Sequence, residues 1–407
     1  MKITRILCRQ HIDRMFKAHW RVQGKRVPID TKAEKVLAAK GVPVYNPQDV
    51  IREKRQKLKV DIVGYIPKPV RKDETHPNWH ENVCYFYRDN NVLLEGIDQA
   101  KIITKTIELQ SGLPEIIENA PKPSKEINNR ALRIIMSSHL FDTQQEKLPK
   151  IKDPERPAYN FPRVLGITNE RVNFLLTSKL LQLCENSSDK SLAKDRTVFN
   201  NAKFFVPLKK SEDLLQLELS ADKLLMSSKP LEILTTHSTD NIDLPNLFPI
   251  KHTITLVPEH IYETNNVYPI KKTSLKCHPH TVFVHYDHTK VANLFEEEVT
   301  EAQVLGRSLM KTFAVAAAYA RQKYGNDVQV LPQPVTLQCV QTDGKQFHFA
   351  MLQLNTLDLQ DGGVKNVWYS VPNMPLFQTC EYQVGKPVVL GYNQDVMKYL
   401  LAFYNNV

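Results

Sequence analysis

The 407-residue chain reads as an α+β protein (mixed α/β): a basic extended N-terminal arm, then a globular body whose helices pack on a mainly antiparallel sheet in the C-terminal half. Three observations predict this. Between Val335 and Leu352, apolar residues alternate with period two on either side of Asp343-Gly344. Just upstream, Leu305, Leu309, Phe313, Ala316 or Ala317, and Ala320 recur at helical spacing. Finally, the net charge of +10 sits at one end. Residues 1–60 hold 16 of the 54 Lys and Arg but 5 of the 44 Asp and Glu, a balance of +11, and the other 347 residues carry 38 against 39.

The hairpin is the clearest element. Val335, Leu337 and Cys339 alternate with Thr336 and Gln338, and Phe347, Phe349 and Met351 alternate with His348, Ala350 and Leu352. That is the strand period, and both faces are apolar enough to be covered. Asp343-Gly344 predicts a tight primed turn with positive backbone angles. The helix before it begins among Glu296, Glu297, Glu298 and Glu301 and ends at Arg321 and Lys323, as its dipole favours, with Gly325 as the cap. Residues 296–356 thus form a compact αββ unit.

From the N-terminus, residues 1–28 are rich in Lys and Arg with Asp13 the lone acid, the pattern of a mitochondrial transit peptide, the alternative being a basic N-terminal arm of a cytosolic or nuclear protein. Residues 29–75 form the rest of the arm. Asn46-Pro47-Gln48-Asp49 starts a helix that carries Arg52, Lys54, Arg55, Lys57 and Lys59 but has too few apolar residues for a core stripe. Lys68, Arg71 and Lys72 follow in a segment that Pro67 and Pro69 hold extended. These eight basic residues are the candidate phosphate contacts, since cations on an extended arm neutralise a polyanion without reading its sequence. Residues 76–163 predict a helix-rich first part of the body: an aromatic strand near Tyr85–Tyr87, a turn at Asn90-Asn91, and helices around Ile97–Thr104 and Asn128–Leu140. Residues 164–407 predict a mixed α/β second part. It has a helix over Val172–Leu183, short strand-like runs from Phe204 to Val284, the αββ unit, a strand at Val388–Leu390 and a closing helix over Asp395–Tyr404.

Several chemistries are excluded. No apolar run approaches the eighteen or so residues of a membrane span; the longest is Ala314 to Ala320. Six scattered cysteines without a C-x-x-C pair indicate a reducing compartment. Nucleophile-elbow and phosphate-loop motifs are absent. A metal-dependent nuclease needs carboxylates and a lysine on the hairpin, but Asp343 lies in the turn and Met351 to Asn355 carries neither. Cys277, His278, His280, His285 and His288 have zinc-ligand atoms but no zinc-site spacing, so they read as packing or surface histidines. His348, between two phenylalanines, reads as a strand histidine whose ring is hydrogen-bonded. No catalytic residue, metal or cofactor is assigned.

Several blocks resemble a known family. They are Leu93-Leu94-Glu95-Gly96, Thr104-Lys105-Thr106, Gly112-Leu113-Pro114, Tyr324-Gly325-Asn326-Asp327, Gln333-Pro334-Val335, Thr342-Asp343-Gly344, Phe347-His348-Phe349, Gln353-Leu354-Asn355-Thr356 and Gly363-Val364-Lys365-Asn366. In this order they resemble the mitochondrial large-ribosomal-subunit protein family numbered thirty-seven in the mitoribosomal series. The match is dense over 85–115 and 300–366. The resemblance implies a non-catalytic structural protein of the mitochondrial ribosome, in the matrix, bound to large-subunit rRNA and neighbouring ribosomal proteins. It also implies a heterodimer with a similar mitoribosomal protein named for programmed cell death. The face of the αββ unit is then the expected protein contact. A matrix RNA-binding regulator and a matrix enzyme with an unrecognised site are the alternatives.

Overall fold

The computed structural model describes residues 16–21, 30–45 and 71–407, apart from 110, 151, 152, 154, 157, 237, 238, 292 and 294–296. The chain divides into two units, 1–69 and 70–407. In the first, a helix not anticipated from sequence, α1 (Ala33–Ala39), is exposed on all sides and has no capping side chain. The predicted helix after Asn46 and the transit segment before residue 16 lie outside the described residues, as does Glu296.

The second unit is built on one large sheet. Its strands are β1 (Trp79–Arg88), β2 (Thr106–Glu108), β5 (Thr197–Lys210), β6 (Asp213–Ser227), β7 (Val257–Ile261), β8 (His278–His285), β9 (Val330–Thr342), β10 (Gln346–Thr356), β11 (Asn366–Ser370) and β12 (Met374–Pro375). The order is β2-β11-β10-β9-β8-β6-β1-β7, with β12 beside β10 and β5 beside β6. Most pairings are antiparallel; β1–β6, β8–β9 and β2–β11 are parallel. Two small hairpins lie apart, β3 (Glu146–Lys147) with β4 (Leu165–Gly166), and β13 (Thr379–Gln383) with β14 (Lys386–Leu390). One face carries α2 (Gly96–Thr104) and α7 (Glu301–Tyr324). The other carries α3 (Glu115–Glu118), α4 (Lys125–His139), α5 (Asn169–Ser187) and α8 (Gln394–Asn405), with α6 (Lys190–Asp195) following α5.

Helix α7 begins with a capping box that the glutamate run obscured. Thr300 Oγ1 accepts from Gln303 N, and Gln303 Oε1 accepts from Thr300 N. The helix ends at Gly325, whose N–H donates to Arg321 O at φ +110°. The predicted apolar stripe proves too narrow, because Gly306 to Ala320 is buried all round. The outer side is closed by α2 and by the segment that bears Leu256, Tyr268 and Ile270. Asn266 Nδ2 donates to Ala318 O and Gln322 Nε2 to Ile270 O, which ties that segment down.

In the hairpin, Thr342 pairs with Phe347, so residues 343–346 make the connection and the two-residue primed turn does not form. Asp343 Oδ1 instead accepts from Lys345 N (2.8 Å) and Gln346 N (2.6 Å), which leaves Gly344 alone at positive φ. The region predicted as short runs holds a hairpin of 14- and 15-residue strands, β5 and β6. Its alternation is broken in sequence because it changes face midway. Leu215, Leu217, Leu219 and Ala221 share a core with Leu224 and Met226, and the switch falls where Asn201 takes φ +52° opposite Asp222. A strict period-two reading loses the strand there.

Candidate nucleic-acid interface

Of the eight predicted phosphate contacts, Arg52, Lys54, Arg55, Lys57, Lys59 and Lys68 lie outside the described residues. Arg71 and Lys72 are exposed at the start of the body, where the backbone turns before β1. The charge of Lys72 reaches Glu259. That carboxyl is held below its usual range, first by the Arg88 guanidinium, with Lys72 adding to it. Arg88 donates to Glu218 (2.7 Å) and to both oxygens of Glu259 (2.7 and 2.9 Å), so its charge is already neutralised. Lys72, exposed, retains donors for a partner.

A second charge cluster in the body was not visible in sequence. Along one edge of β6, β1 pairs with residues 214–218 and β8 with residues 223–227. The two strands approach with their C-terminal ends facing, and β6 has a gap in its pairing between them. Side chains fill that gap. Asp89 accepts from Ser220 N and Oγ, and Asp222 Oδ2 accepts from His285 N at 2.7 Å. From α7, Lys311 Nζ pairs with Asp89 at 2.7 Å and donates to Ser220 O, while Arg307 donates to Asp89 O. A cleft of about 280 Å³ remains, rimmed also by Glu170, Asp287 and Lys290. Burial alone would raise the Asp89 carboxyl, but the Lys311 ammonium outweighs it and holds the group low. Burial, reinforced by Arg307, lowers Lys311. The acids are engaged: Asp287 accepts from Thr289, and Glu170 pairs with Lys290. The cluster locks α7 to two strand ends rather than presenting a free acid and base. Its one sequence signal is Arg307 and Lys311, four apart in the helix that carries the predicted apolar stripe.

The histidine cluster is divided among separate partners. His278 Nδ1 bonds Tyr319 Oη (2.5 Å), His280 bonds Thr281 Oγ1 and Asn406 O, His285 bonds Thr177 Oγ1, and His288 bonds Asn169. Among the described residues, no group of three or more His, Cys, Asp or Glu is placed to hold a metal. His348 departs from expectation. It is fully buried, and both ring nitrogens lack a hydrogen-bond partner among the described residues. Burial pushes its pKa down to about 3. The αββ unit cannot be a docking face as supposed, since its hairpin and helix are buried within the chain's own two cores.

The signature blocks, far apart in sequence, meet in space. Asn366 Oδ1 accepts from Asn355 N (2.8 Å) and Thr356 N (2.9 Å), and its Nδ2 donates to Thr104 O (2.8 Å). Gln353 Oε1 accepts from Leu234 N and Thr235 N. Strand β2 pairs beside Asn366. These motifs therefore clamp the first part of the body to the C-terminal hairpin.

Comparison with known proteins agrees with this reading. The family described as "Mitochondrial 28S ribosomal protein S30 (PDCD9)" matches residues 211–407, from the β5–β6 turn to the C-terminus. "Large ribosomal subunit protein mL37" of Rattus norvegicus is 31% identical over 347 residues, covering 81% of this chain and 76% of that protein. The protein of that name from Bos taurus is 31% identical over 350 residues, 81% of this chain and 77% of its own. The chain belongs to the mL37 family. The protein of that name from Gallus gallus, 31% identical over 353 residues, spans 81% of this chain and 76% of its own. The S30 family match thus falls on the C-terminal part of the body, which includes most of the sheet.

Proposed function

We propose that the protein is a non-catalytic structural component of the mitochondrial large ribosomal subunit, working in the matrix. It supports mitochondrial translation by binding large-subunit rRNA and neighbouring ribosomal proteins. The observation that carries this is the 31% identity over 81% of the chain with relatives of that name. The basic arm, with Arg52, Lys54, Arg55, Lys57, Lys59, Lys68, Arg71 and Lys72, supplies the sequence-independent phosphate contacts. A near-neutral body suits contact with proteins. The paralogous partner is a member of the S30 family, whose pattern this chain also matches over 211–407. Contact falls on exposed apolar side chains of the β13–β14 hairpin and beside it: Val384 at its tip, Tyr382, and Phe141, whose ring stands edge-on to Tyr382 at 6.1 Å.

Depletion of the protein tests the assignment. The account expects loss of assembled large subunits and of protein synthesis in the organelle, with small-subunit rRNA retained. Intact large subunits after full depletion would oppose it.

A further inference from the structure

A second crevice, on the α5 side of the sheet and separate from the Asp89–Lys311 cluster, carries buried positive charge. It measures about 380 Å³ and lies between α5, the start of β5, the end of β6 and Tyr404. Two buried cations line it, Lys223 (2% exposed) and Arg196 (7% exposed). Lys223 Nζ donates to Ser178 Oγ (2.7 Å) and Asn200 Oδ1 (3.4 Å) and sits 3.7 Å above the Phe174 ring. No described carboxylate forms a salt bridge with it. Arg196 bonds Asp195 and Asn406 O, but its Nε is buried without a partner. Among the described residues that line the crevice, Glu185 is the one acid.

A buried ammonium without a counter-ion is costly, and an unpaired guanidinium N–H adds to that cost. Burial depresses Lys223 to about 8, and the nearby Asp222 charge offsets only part of that loss. An anion entering the crevice that both side chains line would supply an acceptor for these cations. Phe174, 42% exposed, adds an aromatic ring beside the ammonium. Cations that reach a backbone next to a ring that stacks on bases are the usual elements of a single-strand nucleic-acid site. A lone carboxylate would use the cations but not the ring.

We propose that this crevice binds a backbone phosphate of single-stranded RNA, with Lys223 and Arg196 on the phosphate oxygens and Phe174 against the adjoining base. The proposal rests on the RNA-binding reading above and adds a contact on the body to those of the arm.

The test measures binding of the full chain to a labelled mixed-sequence RNA 12-mer across a salt series. Wild type is compared with Lys223→Met and Phe174→Leu. Methionine fills the same space without charge, so Lys223→Met is expected to melt at or above the wild-type temperature. Loss of one single-strand phosphate contact should flatten the slope of log K against log salt by about 0.7 and weaken binding roughly tenfold at moderate salt. Phe174→Leu should weaken binding with the slope unchanged, as a stacking contact requires. Wild-type affinity and slope in Lys223→Met would overturn the crevice while leaving RNA binding by the arm intact. No RNA binding by wild type would overturn the underlying reading. Stabilisation of wild type by inorganic phosphate, absent in Lys223→Met, with RNA binding equal in both, would mark a free-anion site and overturn the proposal. So would polyglutamate binding lost in Lys223→Met while RNA binding stays unchanged.

Discussion

His348 is a buried imidazole with neither nitrogen bonded among the described residues. An unmet buried donor costs about 1–3 kcal/mol, so His348→Leu should raise the melting temperature at neutral pH. Its effect should also depend on pH. Burial depresses His348 and His280 to about 3, and His285 to about 4. Above pH ~6.5 these rings are neutral in both folded and unfolded chains. As pH falls below that, the unfolded chain takes up protons that the folded chain refuses, so stability drops until the folded values are reached. At pH 5, His348→Leu should therefore gain about 2 kcal/mol over wild type beyond its gain at pH 7.5. Thermal melts at the two pH values check this, and an equal shift at both would show that the ring is not buried neutral. Asn366 makes the opposite case, with three bonds to Asn355 N, Thr356 N and Thr104 O. Asn366→Leu should cost about 3 kcal/mol by leaving those backbone groups unpaired, as read by chemical denaturation. The sequence places Asn366 in a motif but says nothing of Thr104, 262 residues away, as its partner.

Helices α2 and α7 meet backbone to backbone through two glycines. A Cβ at Gly306 would lie 2.7 Å from Gly96 C and O, and one at Gly96 would lie 2.4 Å from Ala302 C. Because the obstacle is main chain, Gly306→Ala must part the helices, at a cost of about 1–3 kcal/mol or more. A denaturation midpoint unchanged by the substitution would contradict that contact. The ion pair that fastens α7 to β1 makes a second prediction. Lys311→Ala strands Asp89, whose side chain is 40% exposed, without its ammonium and should cost about 1–2 kcal/mol, less than a fully buried pair. Adding Asp89→Asn should cost less than the two single effects together, since the residues share one interaction. The αββ unit was legible because its period is unbroken on both strands and its helix is strongly periodic. The all-round burial of α7 from Gly306 to Ala320 was not, since the segment that covers it is itself irregular in sequence. The β5–β6 hairpin was obscured by its change of face at Asn201. The Lys223–Arg196 crevice was equally hidden: its cations lie on different elements and look like ordinary surface charge.

Across the whole molecule, charge separates the two kinds of contact. Residues 1–60 carry +11 while the remainder balances at −1. The body's interior charges are largely committed to one another, as at Arg88 with Glu218 and Glu259 and at Lys311 with Asp89. Association through the arm should therefore weaken steeply with salt, whereas contacts made by the body's apolar side chains should not. Among the described residues no helix is long and apolar enough to cross a membrane. The family name and the charge distribution thus agree with the function proposed above, in which RNA and protein neighbours hold the chain in a ribonucleoprotein. The most direct test is sedimentation of the endogenous protein from lysed mitochondria at moderate salt, with and without ribonuclease, probing each fraction for large-subunit rRNA. The account predicts co-migration with the large subunit and release after ribonuclease. A peak confined to the size of a free monomer or dimer, unchanged by ribonuclease, would contradict it.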